Sequence, residues 1–110
     1  MIEIRDYLTS DGRSPFVDWL HDLRDNQTQA RVLVQINRMR LWNFGDCKTL
    51  SEGIFELQAP FGPGYRIYFT RKGQAVVLLL CGEDKGSQAK DIERARRYWK
   101  DCRSRNNGEE

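Results

Sequence analysis

Residues 65–81, YRIYFTRKGQAVVLLLC, decide the fold because they predict two adjacent β-strands. In residues 65–70 polar and apolar side chains alternate, so the odd-numbered side chains face one side of a sheet and Arg66 and Tyr68 face the other. Lys72-Gly73 indicates a hairpin turn. Residues 76–81 form an unbroken apolar run that starts with two valines, which predicts a central strand buried on both faces.

The residues at the N-terminus predict a strand and then a helix. Residues 2–8 begin with apolar and polar side chains in alternation, which is typical of a strand with one buried face. Ser14 and Pro15 have the residue types of a helix N-cap and first helical position. The apolar stripe of this helix has the spacing i, i+3, i+4, i+7 and consists of Phe16, Trp19, Leu20 and Leu23. His21 lies beside that stripe, which predicts a solvent-exposed histidine.

A second helix is predicted over about residues 28–42, and it forms a hairpin with the first. Its expected buried face consists of Leu33, Ile36 and Met39, with Val32 alongside. Gly45 is the expected left-handed residue that follows it. Residues 53–58 predict a short strand, and Ser87 is the expected cap of a final helix.

The predicted order is strand, two helices, three strands and helix. This order indicates a single α+β domain in which helices pack on a mostly antiparallel sheet. We place the domain at residues 1–104 and a polar, disordered tail at residues 105–110.

Composition narrows the class of protein. The 110 residues carry a net charge of +2, and the longest apolar run, residues 75–81, is far shorter than the roughly 20 residues of a membrane helix. The first residues lack the basic and apolar regions of a secretory signal, so we expect a cytoplasmic protein without membrane association. The three cysteines include no C-x-x-C pair, and no nucleotide-binding loop is present, which predicts a protein without metal or cofactor.

The small net charge conceals an uneven distribution. Residues 1–30 carry a net charge of −3, residues 31–72 carry +4, and residues 73–110 carry +1. A basic remainder behind an acidic first third is typical of an anion-binding face, although an ordinary mixed surface gives the same counts.

A group of cationic and aromatic residues is predicted to converge on one face of the sheet. Its members are Lys48, Arg66, Tyr68, Lys85 and Lys90. Cations and an aromatic ring are what RNA recognition uses. Each residue also has a structural interpretation: the lysines are solvated, Arg66 pairs with Glu56 on a neighbouring strand, and Tyr68 is half-buried. The pattern alone leaves both interpretations open.

Four sequence strings resemble the RelE/ParE toxin superfamily. They are Asn43-Phe44-Gly45-Asp46-x-Lys48-x-Leu50, Gly53-x-x-Glu56-Leu57, Gly62-Pro63-Gly64-Tyr65-Arg66-x-Tyr68, and Val77-Leu78-Leu79-Leu80-Cys81-Gly82-x-Asp84-Lys85-x-Ser87-Gln88-x-x-Asp91-Ile92. The resemblance is greatest to the HigB-like branch, the addiction-module killer proteins, and it covers nearly the whole chain. It implies the strand, helical hairpin, antiparallel sheet and final helix of that superfamily.

The resemblance also implies a function. Such proteins are toxins of bacterial type II toxin–antitoxin modules, usually ribosome-dependent endoribonucleases that cleave mRNA without a metal by attack of a 2′-hydroxyl on the adjacent phosphate. On this basis Arg66 stabilises the phosphate in the transition state, Lys48 and Lys85 are the candidates for base and acid, and Tyr68 stacks on a base or relays a proton. We further predict that Lys90, Arg40 and Arg71 bind RNA.

The resemblance implies partners in addition to the ribosome and mRNA. Toxins of this branch are paired with a cognate antitoxin, commonly a helix-turn-helix protein, and they reach operator DNA only through it. An exposed apolar groove is then expected, with Trp42, Phe44 and Tyr7 as contributors unless they are core residues.

Three positions depart from the branch pattern. Gln58 replaces a frequent arginine, Glu83 replaces a glycine and Gly86 replaces a serine, and the first two changes make the cleft less attractive to RNA. Two alternatives therefore stand beside the nuclease: a ParE-like toxin that inhibits DNA gyrase, and a catalytically weakened relic.

Overall fold

Among the residues that the structure describes, five strands form one sheet. The computed structural model describes residues 1–59, 62, 64–84 and 88–106, the side chain of Asn106 excepted. The strands are β1 (Glu3–Asp6), β2 (Cys47–Thr49), β3 (Ile54–Gln58), β4 (Arg66–Lys72) and β5 (Val76–Glu83). They lie in the order β1-β5-β4-β3-β2, and only the β1–β5 pair is parallel among these described strands. The predicted α+β fold with a mostly antiparallel sheet is confirmed.

Three helices accompany the sheet in the part of the chain that the structure describes. They are α1 (Pro15–Asp22), α2 (Asn26–Arg40) and α3 (Gln88–Asn106). The Ser14 hydroxyl accepts a hydrogen bond from the Val17 N–H at 3.2 Å, which confirms the predicted N-cap of α1. Within the described part of the chain, no helix has the length and apolar character needed to cross a membrane.

The boundaries of α2 lie two residues earlier than predicted. The Asp25 carboxylate accepts from the Gln27 N–H at 3.1 Å, so the cap lies at residue 25. At the other end Trp42 adopts a left-handed conformation with φ of 68°, and its N–H donates to a carbonyl of the last helical turn. The helix therefore ends at Arg40, and Gly45, with φ of 61°, provides a second left-handed residue.

The final helix is longer than predicted. It includes Arg105 and Asn106, which we had assigned to the tail. Residues 107–110 and the expected cap Ser87 lie outside the described residues.

The two faces of the sheet carry separate apolar cores. The face that α1 and α2 cover, here the hairpin face, buries Phe16, Leu20, Val32, Ile36, Met39, Ile67, Phe69 and Val77, among others. The face that α3 covers, here the α3 face, buries Tyr7, Ile54, Tyr68, Leu80, Cys81 and Ala95. The alternation predicted for β4 is confirmed, because Ile67 and Phe69 lie on one face and Tyr68 on the other.

Two details of the prediction were wrong. Leu33 is 47% exposed, whereas Val32 is fully buried, because the buried stripe of α2 has its i, i+4, i+7 spacing at Val32, Ile36 and Met39. The strand β2 was not predicted, and Lys48 lies within it.

Candidate active site

A row of polar side chains crosses the α3 face from the edge of the sheet inward. Lys48 on β2 is in register with Glu56 on β3, which is in register with Tyr68 on β4. The Lys48 ammonium lies 3.5 Å from the Glu56 carboxylate. Cross-strand partners on one face lie close enough for their side chains to interact, so the register itself assembles this row.

Glu56 is a buried carboxylate with two partners. It is 1% exposed, and its second oxygen accepts a hydrogen bond of 2.7 Å from the Gln88 amide on α3. Burial of a carboxylate is costly unless it is paired and hydrogen-bonded, and Lys48 and Gln88 meet both conditions. Glu56 therefore links β2, β3 and the first turn of α3.

Tyr68 is buried at the centre of this row. Its ring is 0% exposed beneath α3, so the predicted stacking of Tyr68 on an RNA base is wrong for this structure. Among the described residues, its hydroxyl has no partner with hydrogen-bond geometry. Burial raises the pKa of the Tyr68 phenol, and the negative charges of Glu56 and Asp91 raise it further. At neutral pH the Tyr68 hydroxyl is therefore protonated, so it can donate a hydrogen bond to a neighbouring polar group.

Arg66 lies on β4 two residues before Tyr68, and it is in register with Gln58 on β3 and with Glu83 on β5. It is partly buried, and its buried Nη1 donates to no acceptor in the described residues. The alternative that Arg66 pairs with Glu56 is not observed, because the cation beside Glu56 is Lys48. Arg66 therefore holds a guanidinium N–H that a bound phosphate oxygen would satisfy.

The remaining predicted site residues separate into three groups. Lys90 is exposed near the start of α3, at the same end of the sheet as Gln88. Lys85 and the neighbouring Gly86 lie outside the described residues. Arg40 and Arg71 do not join the site.

Arg40 and Arg71 lie on the hairpin side of the molecule. The Arg71 guanidinium lies 4.6 Å from the centre of the Phe44 ring and 5.9 Å from that of Trp42. The Arg40 Nε donates to the Asn37 side chain at 3.2 Å on α2. The sheet separates these two arginines from Arg66. An RNA that contacts them and Arg66 together must therefore wrap around the edge of the sheet.

The aromatic residues expected to line an apolar groove also separate. Trp42 is 52% exposed and Phe44 is half-buried, and both lie near Arg71. Tyr7 is buried on the α3 face, where its ring stacks on Tyr98 with 5.1 Å between centroids. Tyr7 is therefore a core residue.

Glu83 does not act as an isolated anion. Its carboxylate forms an ion pair with Arg94 on α3, and burial raises the pKa of Glu83 while Arg94 opposes that change. The negative charge of Glu83, which departs from the branch pattern, is therefore paired with the positive charge of Arg94. Gln58, the other described departure, is exposed opposite Arg66.

Three residues of α3 at this site were missed by the sequence prediction. Gln88 binds Glu56, Arg94 binds Glu83, and Asp91 is 6% exposed with an Oδ2 atom that accepts no hydrogen bond from a described residue. A signal existed, because Gln88, Asp91 and Ala95 have the i, i+3, i+7 spacing of one helix face. Polar residues on the buried stripe of a helix indicate partners on the sheet beneath.

The chain is similar in sequence to a bacterial protein of known sequence. An uncharacterized protein of Haemophilus influenzae (strain Rd) is 40% identical to this chain over 95 residues, which is 86% of this chain and 90% of that protein. The chain belongs to the family of this protein. No protein-family model matches the chain. Because the match spans almost the full length of both members of the family, we expect the relative to have the same fold; being uncharacterized, it brings no activity with it.

In this member of the family, the site presents two cations on one sheet face. Given a strand spacing of about 4.8 Å and a rise of about 3.4 Å per residue, the register places the Cα atoms of Lys48 and Arg66 roughly 12 Å apart. Two long basic side chains on such a frame reach a common phosphate. The side chain of Lys48 is 59% exposed, so an anion has access to it from solvent.

Proposed function

We propose that this protein is the toxin of a bacterial type II toxin–antitoxin module, and that it arrests translation by cleaving mRNA on the ribosome. Two things support the proposal. One is the resemblance of the chain to the RelE/ParE superfamily and its HigB-like branch. The other, which carries it in structural terms, is the placement of Lys48 and Arg66 on one face, with a buried Arg66 N–H that has no acceptor among the described residues.

The proposed reaction is an intramolecular transesterification, in which the 2′-oxygen of a ribose replaces the 5′-oxygen of the next nucleotide on the phosphate that joins them. The 2′-oxygen loses its proton and bonds to phosphorus, the bond from phosphorus to the 5′-oxygen breaks, and that oxygen is protonated. The products are a 2′,3′-cyclic phosphate and a 5′-hydroxyl. Such a step needs a proton acceptor, a proton donor and positive charge on the phosphorane.

The residues divide these tasks by their chemistry. Arg66 stabilises the phosphorane, because a guanidinium stays protonated and offers paired N–H donors to phosphate oxygens. We assign Lys48 the proton-donor role, since its exposed ammonium contacts the Glu56 carboxylate at 3.5 Å. The base role falls to Lys85 on the resemblance alone. Tyr68 acts as a positioning residue beneath the site, and Lys90 adds positive charge at its rim.

The proposal includes partners and a compartment. We place the activity in the cytoplasm, where ribosomes and mRNA are found. A cognate antitoxin of the helix-turn-helix class neutralises the toxin and connects it with operator DNA. A gene for such a protein beside the gene for this chain is the expected arrangement.

The direct test is induced expression in a bacterial host with metabolic labelling. We expect incorporation of labelled amino acids to collapse before incorporation of thymidine. An early collapse of thymidine incorporation, with translation intact, contradicts the proposal and favours a gyrase inhibitor of the ParE type. Absence of any arrest favours the relic.

The matched variants are Arg66→Ala and Arg24→Ala. Removal of the Arg66 guanidinium is expected to slow mRNA cleavage about 100-fold, the usual cost of removing a transition-state donor, while the circular dichroism spectrum is unchanged. Arg24 is an exposed cation between α1 and α2, away from the α3 face, and its loss leaves the arrest intact. Full toxicity of a folded Arg66→Ala variant excludes the proposed site.

A further inference from the structure

A cavity lies on the α3 face, at the end of the sheet far from Arg66. It has a volume of about 490 Å³ and is lined in part by Arg5, Thr70, Lys72, Trp99, Arg103 and Arg105. Lys72 is six residues beyond Arg66 on β4, so at a rise of about 3.4 Å per residue the cavity lies roughly 20 Å from the proposed catalytic arginine. We call it the Trp99 pocket, and the proposed nuclease activity does not use it.

The charge of the Trp99 pocket favours an anion. Four cationic side chains line it, Arg5, Lys72, Arg103 and Arg105, against one carboxylate, Asp6, among the described lining residues. A cleft with charges of one sign and low-dielectric walls concentrates the opposite ion. These cations also have partners within the chain: Arg5 pairs with Glu3 and Arg105 with Asp101 at the exposed rim, and Lys72 is not without a partner.

The walls of the pocket favour a ligand with a flat, apolar part. The Arg103 guanidinium lies over the Trp99 ring, with 5.2 Å to the ring centroid. Val76 and Leu78 add apolar surface. An indole and a guanidinium plane are both surfaces on which a nucleobase stacks. The volume is within the range of sites that hold small organic ligands, about 300–1,000 Å³.

From this combination we propose that the Trp99 pocket binds a nucleoside 5′-phosphate. The base packs on the Trp99–Arg103 wall, and the phosphate is bound by the cationic side chains that line the pocket. A mononucleotide and the 5′-phosphorylated end of an RNA present this same chemistry, so the test must separate the two sources.

The test is an NMR titration of the full chain labelled with ¹⁵N. The three tryptophans give three indole N–H resonances, which Trp99→Phe assigns. Saturable binding of AMP is expected to shift the Trp99 resonance and to leave that of Trp19, on α1, in place. Adenosine and inorganic phosphate are each expected to bind at least tenfold more weakly than AMP, because each lacks one half of the recognised ligand.

Matched variants locate the binding. Arg103→Ala is expected to weaken AMP binding at least tenfold, and Arg97→Ala, which removes an exposed charge of the same helix outside the pocket, to change it less than twofold. A 5′-phosphorylated dinucleotide that binds tenfold more tightly than AMP identifies an RNA end as the ligand; otherwise the mononucleotide is the ligand. A Trp99 resonance that stays in place at millimolar AMP, or an affinity that Arg103→Ala does not change, overturns the proposal. Because the readout is binding, it is independent of whether the chain cleaves mRNA.

Discussion

At the scale of single residues, the backbone of Gly82 on β5 lies directly against the indole ring of Trp19. A Cβ atom at position 82 would lie 2.2 Å from Cε3 of that ring, well inside contact distance. The ring is held in place, since its Nε1 donates to the Asp84 carboxylate at 3.0 Å. Gly82 is therefore required by packing, because any larger residue displaces the indole from the hairpin face.

We predict that Gly82→Ala lowers the free energy of unfolding by about 2 kcal/mol, the usual cost of overpacking a core. Urea denaturation measures it. In a Trp19→Leu background the ring is gone, so the same substitution is expected to cost less than about 0.5 kcal/mol. Equal costs in the two backgrounds contradict the packing explanation.

Lys48 has a structural role beside Glu56 and a proposed catalytic role, and a second set of variants distinguishes the two roles. Lys48→Ala leaves the buried Glu56 carboxylate without its nearest cation, so we expect a loss of about 1 kcal/mol in the free energy of unfolding. In a Glu56→Gln background that loss disappears, because an amide needs no cation. Cleavage of mRNA is expected to be lost with Lys48→Ala in both backgrounds. Recovery of cleavage in the double variant shows that Lys48 acts only through stability.

At the scale of elements, the C-terminal half of α3 is tied to the segment after β1. The Tyr7 hydroxyl donates to the Asp101 carboxylate at 2.5 Å, and Arg105 donates to the same oxygen at 3.1 Å. The hydrogen bond from Tyr7 and the charge of Arg105 lower the pKa of Asp101, and burial raises the pKa of Tyr7 to about 12. These contacts hold the C-terminal half of α3 against the segment after β1.

This contact predicts a dependence of stability on pH. Because the pKa of Asp101 is lowered in the folded state, its contribution is complete above the ordinary aspartate value of about 3.9 and is lost as the pH falls through the lower folded value. Tyr7→Phe removes the donor. We therefore expect the stability difference between the native protein and Tyr7→Phe, measured in urea, to be larger at pH 7 than at pH 3. A difference that is the same at both pH values shows that the phenol contributes only packing.

The elements with strong local signals were predictable from sequence, and those that depend on tertiary contacts were not. The Ser14-Pro15 cap and the alternation in β4 are encoded by neighbouring residues, and both were confirmed. Strand β2 has three residues at the edge of the sheet, and Lys48 and Thr49 are exposed, so it lacks an apolar pattern. Helix α2 ends before its predicted last residue because Trp42 adopts a left-handed backbone conformation. Bulky residues such as tryptophan rarely adopt that conformation, so the sequence did not indicate it.

At the scale of the whole molecule, the sequence predicted that Lys48 and Arg66 converge on one face of the sheet, but it did not show that another predicted RNA-binding arginine lies on the opposite face. Arg66 and Lys48 lie on the α3 face, whereas Arg71, also on β4, faces Phe44 on the opposite side. The covering of Tyr68 by α3 was equally invisible, because the face on which a terminal helix packs depends on contacts between distant residues. The sequence pattern thus predicted that Arg66 and Tyr68 share a face of the sheet, but not that Tyr68 is fully buried there.

The uneven distribution of charge along the sequence matches the positions of the proposed site and of the Trp99 pocket only in part. The acidic first third supplies α1, and the basic remainder supplies the proposed catalytic residues and most of the cations of the Trp99 pocket. A net charge of +2 is small for a protein that binds RNA alone by phosphate contacts. It suits a protein to which the ribosome presents the mRNA.

The chemistry of the cut RNA tests the central claim most directly. Translating ribosomes, a defined mRNA and the purified protein are combined, and the 3′ ends of the fragments are analysed by mass spectrometry. The account predicts fragments that end in a 2′,3′-cyclic phosphate with the native protein, and about 100-fold fewer with Arg66→Ala. Intact mRNA in the presence of the native protein, or fragments that end in a 3′-hydroxyl, would contradict it.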